Sequence, residues 1–292
     1  MGMARKDPPA RDSPAQPRPP SGVALVPTMT WYQLVLAARS PIGTFISLVV
    51  PVMLLVALDL VTPEMTLSSL RGAPVAQFLT PAMASFAVLN VGFVDVVIGI
   101  TLARDQGILR RLHSAPLPAW AYFASRLVTA VLVATAAVVI VSGVGVVFLH
   151  VHLAIGALAG LAGAAAAGLA TSFAFGLAVS ALVPSALGAL PIAYALLLPV
   201  AFISQVFFPA PTEAHWLQLL ASVLPVQPFA QGMEAAFSAS PHSLGLHGLV
   251  VMGSWTLGSL ALALAFFSWE PAAGLRSRRP GPRLATRAPR AR

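Results

Sequence analysis

Arg104-Asp-Gln-Gly-Ile-Leu-Arg-Arg-Leu-His-Ser-Ala-Pro-Leu-Pro-Ala-Trp120 is a compact polar and basic stretch between two long apolar runs. A short helical pattern runs through it. Ile108, Leu109 and Leu112 fall on one face at i, i+1 and i+4, and Arg110, Arg111 and His113 occupy the others. Gly107 precedes the pattern and Ser114-Ala115-Pro116 ends it, because proline cannot continue a helix and restricts the residue before it. The two arginines alone fit a simple membrane anchor as well as a docking surface. The flanking Gly107 and Pro116 delimit a helix of about two turns and favour docking.

The rest of the chain says where this helix must lie. Of 292 residues, 58% are hydrophobic and 9% charged, against about 25% charged in a soluble domain. Such a chain belongs in a membrane. The net charge of +8 does not point to nucleic acid, since the basic residues sit in the tails and one loop. The absence of cysteine excludes disulfides, thiolate metal sites and cysteine nucleophiles.

Six apolar runs are each long enough to cross a bilayer core, which takes about 20 residues. They are residues 42–61, 78–102, 120–149, 153–183, 187–208 and 244–269. The third and fourth are overlong and imply tilt or projection. With the N-terminus inside, sixteen of the seventeen basic residues fall in or beside cytoplasmic segments, and Arg71 alone does not. The positive-inside rule therefore places both termini in the cytoplasm. The expected fold is an all-α integral membrane protein of six transmembrane helices.

Residues 1–27 are rich in proline and arginine without apolar periodicity, and are expected to form a disordered cytosolic tail and not a signal peptide. Residues 270–292 form a second, basic tail, which leaves 28–269 as the membrane domain. Within 28–39, Trp31, Leu34, Val35 and Ala38 share a helical face, Gln33 lies off it, and Arg39 closes the run before Ser40-Pro41. That pattern suits a helix lying at the membrane interface. The external connections are 62–77 and 209–243; in the second, Thr212 to Leu224 reads as a short helix with Thr212 as N-cap.

Few polar residues interrupt the spans. Asn90 and Asp95 lie midway along the second, where a carboxylate costs a few kcal/mol and therefore faces protein or water. Either role, transport pathway or helix packing, fits them equally. His150 with His152, and His242 with His247, lie near span ends without carboxylates nearby, so neither pair makes a metal site. Gly156-Ala-Leu-Ala-Gly160, continued by Gly163, Ala164 and Gly168, is a small-residue face that permits close packing of the fourth span. Pro51, Pro191 and Pro199 are expected to kink the first and fifth spans.

The opening stretch resembles the signature that follows the second span in ABC-2 type transporter permeases, closest to the daunorubicin-resistance-like membrane subunits. Arg39-Ser-Pro41 leading to Pro51 resembles the family's entry into span one. Leu198-Pro199-Val-Ala-Phe202-Ile-Ser204-Gln-Val-Phe-Phe208-Pro209, with Trp216 and Leu224-Pro225-Val-Gln-Pro228 beyond it, resembles the fifth span and its external segment. Many members carry glycine where this chain has Gln205, which puts close packing at that position in question.

The resemblance implies the membrane half of an ATP-driven exporter in a bacterial cytoplasmic membrane, moving a hydrophobic or amphiphilic drug, lipid or secondary metabolite. It implies a homodimer or heterodimer of permeases, each docking a separate ABC ATPase. Gly107, Leu109, Arg110, Arg111, Leu112 and Pro116 would form the coupling helix, and Trp31, Leu34, Val35 and Arg39 would belong to an interfacial connecting helix. Asn90, Asp95, Ser204, Gln205 and Phe208 are candidates for the translocation pathway or subunit interface. ATP and magnesium would be bound by the partner, with no cofactor on this chain. The residues agree, since a P-loop needs a lysine and the one lysine here is Lys6 in the N-terminal tail. A stand-alone secondary transporter or channel is the alternative, and would favour inverted repeats and several intramembrane charges. A lipid-modifying enzyme would need a polar catalytic cluster at one membrane face, where this chain has scattered histidines.

Overall fold

The computed structural model describes residues 22–39, 45–61, 66–67, 73–114, 118–207, 215–238 and 245–267. In chain order, α1 (Gly22–Arg39) precedes a π-turn, Phe45–Val49, that runs into α2 (Val50–Val61). A two-residue antiparallel pairing joins β1 (Thr66–Leu67) to β2 (Ala73–Pro74). The second span comprises α3 (Val75–Leu89), a π-turn at Asn90–Val94 and α4 (Asp95–Asp105), and is followed by α5 (Ile108–Ser114). Then come α6 (Ala119–Phe148), α7 (Leu158–Leu182), α8 (Ala186–Ile203), α9 (His215–Val223), α10 (Val226–Phe237) and α11 (Leu246–Phe266). The chain is an all-α membrane protein, and the small β pairing does not alter its class.

Among the described residues, five stretches are long and apolar enough to cross a membrane: Val75–Asp105, Trp120–Phe148, Ile155–Leu182, Ala186–Ile203 and Leu246–Phe266. The first expected span is represented by the shorter apolar helix Ser47–Val61, below the length of an ordinary crossing. Its expected start at residue 42 lies outside the described residues.

The α3–α4 rod is the axis of the bundle, with α2, α6, α7, α8 and α10 packed around it. Nearly every residue from Ala76 to Val94 is buried, so this span reads as apolar all round rather than amphipathic. Small residues decide where neighbours come closest. A Cβ on Gly176 of α7 would stand 3.1 Å from the backbone oxygens of Gly92 and Phe93, and one on Gly168 would enter the Phe229 ring. Ala164 is buried too, but a Cβ on Gly156, Gly160 or Gly163 would meet nothing within 4 Å. Close packing of the fourth span is thus real from Ala164 onward and absent at the Gly156–Gly160 motif itself.

Helix α1 departs from its expected form at its start. It begins at Gly22, with Pro27 inside it, so residues 22–27 are helical where a disordered tail was expected. Its face toward the protein is polar. Thr30 is buried and donates to the Ser125 carbonyl at 3.5 Å; Gln33 Nε2 donates to Ser125 Oγ at 2.8 Å and its Oε1 accepts from Thr129 at 3.2 Å. Trp31 is 66% exposed, with Tyr32 and Leu36 beside it, while Leu34 and Val35 are half-buried and Arg39 is exposed. Polar residues face protein and apolar ones face outward, because hydrogen bonds find partners on α6 and not in lipid.

The bundle has two distinct ends. Gly22 lies against Pro118 and Trp120, and Phe123 packs edge-on against Phe267. The start of α1 and the residue after α11 thus lie at the end that carries α5. At the opposite end, the Gln77 amide donates to the carbonyls of His152 (2.8 Å) and Phe237, and accepts from the His152 backbone N–H at 3.0 Å. Expected helix 212–224 appears as α9, with its proposed cap Thr212 outside the described residues. Helix α10 follows as a separate element, burying Phe229 and Met233 against α3 and α7.

Candidate functional site

The site is built from the point where the central span stops. α4 ends at Asp105, Gln106 caps it, and Gly107 takes φ +69°, in the left-handed region, with its N–H on the Arg104 carbonyl at 3.0 Å. Glycine reaches that region without a steric penalty. A Cβ there would meet nothing within 4 Å, so the requirement is one of backbone conformation and not of space.

Helix α5 starts at once, with Arg111 N–H donating to the Gly107 carbonyl at 3.1 Å. Its expected apolar face divides. Leu109 is wholly buried and Leu112 is half-buried against the core, whereas Ile108 is 39% exposed. Arg110 and Arg111 are exposed. The side chain of His113 and the expected stop at Pro116 lie outside the described residues. Two leucines therefore anchor the helix to the bundle while an isoleucine and two arginines are exposed.

The two charged residues before the turn hold the neighbouring helices. Arg104 is 4% exposed. Its Nη1 donates to the Ser180 carbonyl at 3.2 Å and its Nη2 to the Val183 carbonyl, both at the C-terminal end of α7. A cation there satisfies orphan carbonyls and suits the helix dipole. Asp105 Oδ2 accepts from the Ala186 backbone N–H at 2.6 Å, which places a carboxylate on the N-terminus of α8. Arg104 Nε is buried without a hydrogen-bond partner among the described residues. By sequence alone, Arg104 counts only as a charge on the cytoplasmic side and Asp105 carries no assigned role. The one signal for both was their adjacency at the end of an apolar run, opposite the short Val183-Pro184-Ser185 link.

The candidate pathway residues in the second span are each engaged within the chain. Asn90 is buried, donates Nδ2 to the Phe86 carbonyl and accepts from Tyr194 Oη on α8, both at 2.8 Å. Asp95 Oδ2 accepts from Ser47 Oγ at 2.7 Å, and its backbone carbonyl accepts from Arg126 at 3.0 Å. The Arg126 guanidinium lies where a Cβ on Gly99 would stand, which explains that glycine. Both polar residues thus make contacts between spans of one chain. Ser204 is buried with no partner for Oγ among the described residues, and Phe208 lies outside them.

Gln205 has φ +59°. Its N–H donates to the Phe202 carbonyl and that of Val206 to the Ala201 carbonyl, each at 3.1 Å. This is a Schellman stop with glutamine at the position that usually takes glycine. The position where the resemblance implies glycine is therefore a helix end.

A small cleft of about 50 Å³ lies among α7, α8, α10, α11 and the central span, walled by Phe93, Phe175, Leu197, Phe229, Met252 and Trp255. Hydrogen-bonding groups on its walls are already engaged: Thr171 with the Ala167 carbonyl, Ser172 with that of Gly168, and Trp255 Nε1 with that of Val223. None of the described candidate pathway residues, Asn90, Asp95, Ser204 and Gln205, lines it.

The chain matches the ABC-2 type transporter family over residues 24–237. No curated protein matches it. The match covers α1 through α10 and so includes both helix stops and the α5 turn. The chain belongs to the ABC-2 type transporter family and is a membrane-spanning permease subunit of an ABC transporter.

Proposed function

We propose that this permease is an exporter subunit for a hydrophobic or amphiphilic compound, such as a drug, lipid or secondary metabolite, driven by ATP hydrolysed in a separate ABC ATPase. The observation that carries the reading is α5. It is a two-turn helix outside the membrane-length helices, anchored by Leu109 and presenting Ile108, Arg110 and Arg111. A small apolar knob flanked by guanidinium groups suits a groove with acidic rims on a partner protein. ATP and magnesium belong to that partner in this reading, and the permease acts as a homodimer or heterodimer. Its membrane is the bacterial cytoplasmic membrane, with both termini and α5 in the cytoplasm; the shared end occupied by Gly22, Phe267 and α5 supports that orientation. The apolar walls of the cleft, with their polar groups already engaged, support an apolar cargo.

The test is a double charge reversal. Changing Arg110 and Arg111 to glutamate should abolish co-purification with the ATPase while the permease still inserts and folds. Retained co-purification at the native level would remove α5 as the docking element.

A further inference from the structure

We infer that Arg104 and Asp105 act as a clamp that makes the α7–α8 turn move with the coupling helix, so that force arriving at α5 is delivered to the fourth and fifth spans as well as to its own neighbours. The inference rests on the docking role proposed for α5 and adds the route by which that docking is transmitted.

Three observations carry it. First, consecutive residues of one helix hold the two sides of one turn: Arg104 binds carbonyls at the end of α7, and Asp105 binds the first N–H of α8. A single bond would fix one helix; the pair fixes both. Second, the arginine half of the clamp is buried, while the Asp105 half lies at the surface. Arg104 is almost wholly enclosed, and α4 packs along both α7 and α8. Third, the segment between clamp and docking helix is one glycine-centred turn. Gly107 lies two residues beyond Asp105, with open space around it, and Leu109 two residues later is buried. The path from Leu109 to Ala186 is therefore short and hydrogen-bonded.

Arg104 and Asp105 are positioning residues in this scheme, since neither faces the docking partner or the cargo. The acceptor oxygen of Asp105 is what matters to Ala186, so asparagine should replace it and alanine should not. That contrast separates the clamp from a generic need for charge at this position.

The experiment uses the full permease in complex with its ATPase subunit. Spin labels go on cysteines placed at Leu102 and Leu187, which are exposed on α4 and at the start of α8. The native chain contains no cysteine, so the labels are unique. The Leu102–Leu187 distance is measured by pulsed electron resonance without nucleotide and with the ATPase trapped by ATP and vanadate. The expected result is one distance in both states for the native sequence and for Asp105→Asn. Asp105→Ala should match them without nucleotide and depart by about 2 Å or more on trapping, the scale of helix shifts in switching proteins. Two results would overturn the clamp: a native pair whose distance changes on trapping, or an Asp105→Ala pair that behaves as native or is equally altered in both states. If Asp105→Ala fails to assemble, the native and asparagine pairs still decide. Failure of the unmodified permease to bind any ATPase would instead sink the docking reading itself, and the clamp with it.

Discussion

The two ends of the bundle are closed by different chemistry. At the α5 end, ionised side chains hold helix termini: Arg104 on the carbonyls of α7 and Asp105 on the first N–H of α8. At the opposite end a neutral amide does the equivalent work, with Gln77 binding the backbone of His152 and the carbonyl of Phe237. The helix stops differ in the same way. The central span ends on Gly107, whereas α6 and α8 end on the left-handed residues His150 and Gln205. Charge is concentrated where mechanical linkage to a partner is proposed. At Arg104, the buried member of the pair, an ion holds geometry more tightly than an amide, because losing its partners leaves an uncompensated charge.

The comparison can be broken most directly at Arg104. Replacing it with alanine removes charge-assisted bonds to two buried carbonyls and should cost about 3 kcal/mol, the upper range for hydrogen bonds to charged groups. Gln77→Ala removes three neutral bonds, part of them at a wetter surface, and should cost about 2 kcal/mol. Thermal unfolding of both variants in detergent measures the difference. Equal losses would mean that charge confers no extra rigidity at the α5 end.

Glu234 sharpens the contrast from the other side. It lies on α10, and burial pushes its carboxyl from 4.5 up to about 7. Burial favours the neutral form, so the folded state holds the proton more tightly than the unfolded chain. This contribution is fully present below pH 4.5 and is lost as pH rises through about 7. Stability should therefore fall across that window, and Glu234→Gln should flatten the profile. An unchanged slope in the glutamine variant would assign the pH dependence to another group.

Much of this architecture was legible in the residues, and what was not has physical causes. Long apolar runs announce membrane helices because lipid satisfies no backbone group, and the α5 turn was visible because glycine and charge are rare in such a chain. The inward face of α1 was not legible. Amphipathic reasoning assumes water on one side, and here Thr30 and Gln33 turn toward α6 while Trp31 turns away. Pairing across the bundle was equally hidden. Nothing local marks Ser47 as the partner of Asp95, Tyr194 as that of Asn90, or Ala186 as that of Asp105. The Gly156–Gly160 motif misled for the converse reason, since an alanine-rich span offers many small-residue spacings and contact is settled by which neighbours arrive.

The smallest expected effect is also the most discriminating, because it compares like with like at the two helix stops. Gly107 and Gln205 have nearly the same backbone angle, φ +69° and +59°. A left-handed conformation costs a residue with a Cβ roughly 1 kcal/mol relative to glycine. Gln205→Gly should therefore stabilise the protein by about 1 kcal/mol, and Gly107→Ala should destabilise it by a similar amount. Space does not confound the second change, because a Cβ at Gly107 would meet nothing within 4 Å. Opposite and comparable shifts in melting temperature would show that both stops are governed by backbone conformation alone. A loss of stability in Gln205→Gly would instead mean that the glutamine side chain contributes more than its strained backbone costs, and the α8 end would then be held by side-chain contact, as the α5 end is.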